Sequence, residues 1–159
     1  MKLNKIIRLI AAIAICQLTG AIGSLFTMPA IATWYATLQK PWFTPPSWLF
    51  APVWITLYTL LGISFYLAWE KGMKNKKVRV ALIAFGVQLA LNTIWSILFF
   101  GLRSPSYGFI GIAALWAAIA ATILRFYKIS RKAAMLLLPY IAWVTIAVAL
   151  NYYVLVLNP

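Results

Sequence analysis

Five long apolar runs divide the chain, at about residues 6–26, 48–69, 80–102, 107–126 and 133–157, and the stretches between them collect Lys, Arg, Pro and Ser. At about 1.5 Å of rise per residue, each run can cross roughly 30 Å of hydrocarbon as a helix. None shows the period-2 alternation of a barrel strand, and only helices or closed barrels satisfy the backbone in lipid. The pattern predicts an all-α integral membrane bundle of five transmembrane helices, a single domain over residues 1–159. The first run also begins as a secretory signal does, with Lys2 and Lys5 ahead of it, Arg8 early in it and Ala30-Ile-Ala32 as a small-x-small site. Its apolar length exceeds the roughly 7–15 residues of a signal core, so the helix is expected to be retained. Ile15, bulky, sits where a lipoprotein site at Cys16 needs a small residue.

Within the runs, polar and aromatic residues fall on faces. Gln17, Gly20 and Ser24 recur at i, i+3 and i+7, a small or polar face suited to close packing in lipid. Trp54, Tyr58, Phe65 and Trp69 share one face of the second run by the helical period. Gln88, Asn92, Trp95, Ser96 and Phe99 form a mixed stripe on the third, and Tyr140, Trp143, Ala147 and Asn151 another on the fifth, where Pro139 removes a backbone bond. Amides are costly against lipid, so Gln88, Asn92 and Asn151 are expected to face inward. Each stripe alone could be helix–helix glue. Together they supply flat aromatic walls with few directional polar groups, which suits a large planar apolar ligand. Ion conduction would call for charge rings or carbonyl filters, which the pattern lacks. The fourth run carries Gly108, Gly111 and alanines 113, 114, 117, 118, 120 and 121, a surface for packing against neighbours or another subunit.

The connections differ. Ser104-Pro105 reads as an N-cap followed by Pro in the first turn. The first connection, about 27–47, is longer than a compact bundle requires, and its Trp34, Tyr35, Trp42 and Phe43 gain by burial. It is expected to form a semi-rigid lid over one end of the bundle, with prolines limiting its freedom. Four of the eight Trp residues lie at 34, 42, 48 and 54, and an interfacial aromatic belt is the plainer role for each.

Composition narrows the chemistry. The chain is 65% hydrophobic and 9% charged, against about 25% charged in soluble domains. Fourteen Lys and Arg stand against one acid, Glu70, with no His and one Cys. Paired-carboxylate catalysis, a Ser-His-Asp triad, His-based metal ligation and an intrachain disulfide are therefore excluded within one chain; no metal site is expected. The net charge of +13 could suggest nucleic acid, but the basic residues punctuate apolar runs rather than forming a patch on a water-exposed fold, so no nucleic-acid partner is expected. They read as a topology signal. The N-terminus contributes three, the connection after the second run five and that after the fourth run four, twelve on one side; Lys40 and Arg103 stand on the other. In a plasma membrane this places the N-terminus in the cytoplasm and the C-terminus outside.

Several segments carry a family resemblance. Trp34-Tyr-Ala-Thr-Leu-Gln-Lys-Pro41, Thr44-Pro-Pro-Ser-Trp48, Pro52-Val-Trp-Ile-Thr-Leu-Tyr58, Ala90-Leu-Asn-Thr-Ile-Trp-Ser96 with Phe99-Phe-Gly101, Pro139-Tyr-Ile-Ala-Trp143 and Leu150-Asn-Tyr-Tyr153 strongly resemble the tryptophan-rich sensory protein/translocator protein (TspO/MBR) family, whose animal members are the peripheral-type benzodiazepine receptors. The resemblance runs in order from Trp34 to Tyr153. It implies a membrane protein that forms homodimers and binds porphyrins such as protoporphyrin IX; animal members also bind cholesterol and synthetic drugs. Carried over residue by residue, it implies a ligand site of Trp34, Tyr35, Trp54, Tyr58, Asn92, Trp95, Trp143 and Ala147. Trp54 and Trp143 look like the pair implicated in light-dependent porphyrin breakdown by bacterial members, and would be the catalytic residues if that chemistry occurs.

Two positions depart from the family pattern. After Tyr152 and Tyr153 the chain reads Val-Leu-Val-Leu-Asn-Pro, without the Lys or Arg of the proposed cholesterol motif. On the third run Ile83 and Val87 are bulky where the dimer face often has small residues, and Gly86 and Ala90 offer a shifted small pair. The expectation is a membrane receptor or sensor for porphyrins or other large apolar ligands, with porphyrin as ligand, no required cofactor, and the lipid bilayer and a second copy as partners. Its propionates would turn toward Lys40 or the wet mouth, and without His to ligate iron, metal-free porphyrin should bind at least as well as haem. Light-dependent degradation, or transport of a tetrapyrrole or lipid, is the alternative.

Overall fold

A computed structural model describes residues 2–159. All regular structure among them is helical, and five helical segments are long and apolar enough to cross a membrane. The first, α1, spans Leu3–Ile31 and runs through Pro29. Proline there removes one bond to the preceding turn, and two residues later the helix ends, with the Thr33 hydroxyl donating to the Pro29 carbonyl at 2.7 Å. The helix thus continues past residue 27, where the lid was expected to begin, and shortens the lid from its N-terminal side. Within that lid, Trp34–Thr37 forms a single helical turn, α2.

A 3-10 turn at Ser47–Leu49 leads into α3, Phe50–Trp69. The reversal after it uses Gly72 at φ +96°, a left-handed conformation that suits glycine. Asn75 then caps α4, Lys76–Ser96, accepting from the Lys77 amide at 2.9 Å. This span closes with a wide π turn at Ile97–Gly101, in which the Leu102 amide donates to the Ile97 carbonyl at 2.8 Å. The wide turn lets two consecutive residues, Phe99 and Phe100, both be buried. Ser104 and Pro105 open α5, Pro105–Tyr127, as their spacing predicts. The last run is two helices rather than one: α6, Arg131–Leu136, and α7, Leu138–Leu157. Pro139 has no amide hydrogen to continue the first helix, so the chain restarts after Leu137.

Helix α1 packs against α3 and α4, while α5 packs against α4 and α7 and the short α6 touches α3 and α5. At the end rich in Lys and Arg the packing is closed. A Cβ at Gly62 would lie 2.5 Å from the Ile13 Cα, so the α1 backbone rests directly on α3. The Ser64 hydroxyl donates to the Ala133 carbonyl at 2.7 Å, and Phe85 stacks on Phe126 with centroids 5.7 Å apart. Glu70 receives Lys5 and Arg8, each at 3.3 Å, and the Arg8 guanidinium covers the Trp69 ring. Asn92, Asn151 and Gln88 are buried as expected; Gln88 alone has no hydrogen-bond partner among the described residues. On α5 the glycines 108 and 111 pack inward, whereas alanines 113, 114, 117 and 121 face outward.

Candidate functional site

A cavity of about 400 Å³ opens between α1, α3 and α4 at the lid end of the bundle. Its aromatic wall comes from α3 and α4. Trp54 stacks on Tyr58 at 5.6 Å and tilts toward Trp95 at 6.5 Å; Phe50 and Phe100 complete the wall. Tyr58 can lean toward α1 because residue 20 is glycine: a Cβ there would collide with the Tyr58 ring. The opposite wall is α1 itself, through Gln17, Gly20, Gly23, Ser24, Thr27 and Ile31.

The floor is a hydrogen-bonded chain across three helices. Tyr58 Oη donates to Asn92 Oδ1 at 2.7 Å, and Asn92 Nδ2 donates to Tyr140 Oη, also at 2.7 Å. These groups are buried, and in a low-dielectric interior such a chain is rigid because breaking any link strands a polar atom. Gln17 ties α1 to α3 at the same level, with Nε2 donating to the Ile55 carbonyl at 2.9 Å and to Thr59 Oγ1 at 3.0 Å. Among the described residues, no Lys, Arg, Asp or Glu lines the cavity.

The residues that the resemblance implies for the site are divided among four settings. Trp54, Tyr58, Asn92 and Trp95 line the cavity together. Tyr35 and Ala147 line a smaller space of about 30 Å³, shared with Trp95, Phe50 and Phe100. Trp34 stands outside both and packs edge-on against Phe99 at 5.4 Å. Trp143 likewise lines neither space and meets Phe50 edge-on at 6.0 Å. Helix α7 therefore backs the cavity wall through Tyr140, Asn151 and Trp143 without lining it, and Trp54 contacts Tyr58, Trp95 and Tyr140 among aromatic rings rather than Trp143. The α1 wall was legible only as a packing face: Gln17 and Gly20 do meet α3, through the Ile55 and Thr59 bonds and the Tyr58 ring, but together with Ser24 they also line open space.

The lid is fastened rather than loose. Asn158 Oδ1 accepts from the Gln39 amide at 3.0 Å while its Nδ2 donates to the Gln39 carbonyl at 2.9 Å, and Phe43 meets Tyr153 edge-on. Lys40 Nζ donates to the carbonyls of Tyr35 and Leu38 at 2.7 and 3.0 Å and lies over the Tyr35 ring. It is engaged within the lid and does not line the cavity. Burial raises the Tyr35 phenol pKa above its ordinary value, keeping the group neutral. Trp42 and Trp48, 96% and 72% exposed, stand outside the cavity, where an interfacial anchor belongs.

A family model described as TspO/MBR family matches residues 12–157. The chain is 48% identical over 154 residues to the tryptophan-rich protein TspO of Archaeoglobus fulgidus, covering 96% of this chain and 98% of that protein. It is 42% identical over 134 residues to the translocator protein of Homo sapiens, covering 84% and 79% of the two chains. Over 147 residues it is 32% identical to the tryptophan-rich sensory protein of Cereibacter sphaeroides, covering 92% and 88%.

Proposed function

The chain belongs to the TspO/MBR family of multi-pass membrane proteins, and from that premise we propose that it is a receptor or sensor holding a porphyrin, or a ligand of similar flatness, in the cavity between α1, α3 and α4. The supporting observation is the cavity's composition. Trp54, Trp95, Tyr58, Phe50 and Phe100 offer ring faces and edges around about 400 Å³ without a charged side chain. That volume lies within the roughly 300–1,000 Å³ typical of small-molecule sites, and offset or edge-on contact with a planar π-system is what such rings favour. The tetrapyrrole plane enters beside Trp54 and Trp95. Its carboxylates remain at the lid-side mouth, because burying them without a cation is costly.

Tryptophan-fluorescence quenching by protoporphyrin IX, with the protein in lipid nanodiscs, tests this reading. Trp54→Leu should weaken binding about tenfold, the scale of one lost aromatic contact plus its buried area. Trp116→Phe should leave affinity unchanged, since Trp116 lies on the outer side of α5 and bonds Thr145. Equal affinity in wild type and Trp54→Leu would remove the cavity from the reading.

Two accompanying proposals concern the membrane setting. The N-terminus is cytoplasmic and the C-terminus outside in a plasma membrane, a reading supported by the basic residues clustered at one end of the bundle; a Cys placed after Asn158 should be labelled only from outside. The protein pairs with a second copy through α4, where Ile83, Gly86, Val87, Ala90 and Ile94 are all exposed on one face and a Cβ at Gly86 meets nothing. Gly86→Trp should shift the detergent-solubilised protein toward monomer on sedimentation.

A further inference from the structure

The polar atoms of the cavity are unevenly divided between donors and acceptors. On α1, both Gln17 amide hydrogens are directed to α3, toward the Ile55 carbonyl and Thr59 Oγ1. The Ser24 hydroxyl donates to the Ala21 carbonyl at 2.6 Å and the Thr27 hydroxyl to the Gly23 carbonyl at 3.2 Å. Every side-chain donor on this wall is therefore engaged. The oxygens Gln17 Oε1, Ser24 Oγ and Thr27 Oγ1 accept from no group among the described residues. They follow one face of α1 over about 15 Å of rise. The facing wall is different: Trp54 on α3 has an indole N–H without an acceptor among the described residues, and Asn92 on α4 carries an amide of which only one hydrogen is engaged, by Tyr140.

We propose that the α1 wall is an acceptor strip that recognises flat, neutral ligands presenting an N–H or O–H edge, and that it sets which way round the ligand lies. The inference rests on the cavity reading above and adds an orientation to it. A ligand donor aimed at α1 meets oxygen lone pairs with no competing protein hydrogen. A ligand carboxylate on that side meets the same lone pairs with no Lys or Arg lining the cavity, so ionised groups are turned toward the lid. In a cavity with little water, one satisfied neutral hydrogen bond should be worth about tenfold in affinity.

Carbazole and fluorene test this, because the two tricyclic molecules share a shape and differ in an N–H against a CH₂. Binding is measured by equilibrium partition into protein-loaded nanodiscs, corrected for empty nanodiscs, and by competition with protoporphyrin IX. The expected result is carbazole about tenfold tighter than fluorene in the wild type. In the triple variant Gln17→Met, Ser24→Ala, Thr27→Val the ratio should fall to about twofold. The pair Ser24→Ala, Thr27→Val leaves the Gln17 tie to α3 in place and should give an intermediate ratio with an unchanged melting temperature. Equal binding of both molecules to the wild type, with both displacing porphyrin, overturns the acceptor strip and leaves the cavity reading standing. A tenfold preference that survives the triple variant also overturns it, by assigning the acceptor to another wall. Carbazole that binds the protein yet displaces no porphyrin overturns the cavity reading and this inference together.

Discussion

The two ends of the bundle use the same small residues to opposite effect. At the basic end, Gly62 on α3 admits the α1 backbone, and the surrounding rings stack until no space remains, with Phe85 on Phe126 and beside Phe65. At the lid end, Gly20 on α1 admits the ring of Tyr58 instead of a backbone. The helices are held apart by that ring and by the Gln17 tie, and the cavity is the space left over. One glycine closes a helix pair and the other spaces it, because what fills the vacancy differs: main chain in one case, a side chain in the other.

The largest expected effect comes from breaking the closed end. Gly62→Val places a branched side chain where the α1 backbone lies, and should destabilise the fold by about 3 kcal/mol or more, the upper range for overpacking, read as a lowered melting temperature with porphyrin absent. Next, Gly20→Leu should fill the open end. Porphyrin affinity is expected to fall more than tenfold, and stability to fall too but by less than at Gly62, because the new Cβ displaces the Tyr58 ring rather than main chain; equal losses of stability at both glycines would erase the contrast. Glu70→Gln removes the charge that holds Lys5 and Arg8. These partly exposed pairs should contribute about 1 kcal/mol or less, diminishing with added salt, with porphyrin binding unchanged.

The smallest effect concerns the lid and pH. Burial raises the pKa of Tyr35, so the neutral phenol is favoured in the docked lid. Its contribution is complete below the unfolded value of about 10 and declines only as pH rises through the higher folded value. Lid protection from protease should accordingly be level from pH 6 to 9 and weaken above that range.

Much of this arrangement is written in the chain. Runs of apolar residues specify the five spans because lipid allows few other solutions, and the buried amides Asn92 and Asn151 follow from their cost against hydrocarbon. Local breaks were harder to read. Pro29 lies inside α1 rather than ending it, Pro139 divides the last run at Leu137, and the wide turn at Ile97–Gly101 leaves no signature except two neighbouring phenylalanines that are both buried. The site was legible on α3 and α4, where Trp54, Tyr58, Asn92 and Trp95 share faces by simple periodicity. It was not legible on α1, since Gln17, Gly20 and Ser24 spell the same pattern whether the helix they face is in contact or stands off. Trp143 shows the converse: its stripe points inward, yet Phe50 lies at its edge, and one-dimensional spacing carries no information about which ring lies nearer the centre.

Phe50, Trp95 and Phe100 border both the main cavity and the smaller space beside Tyr35 and Ala147, so the boundary between the two includes side chains from α3 and from the end of the α4 span. Side chains change rotamer on far shorter timescales than helices move. The length of ligand that fits is then a question of how often one ring swings aside, and a longer molecule would be admitted by that side-chain motion without any change in the backbone around it.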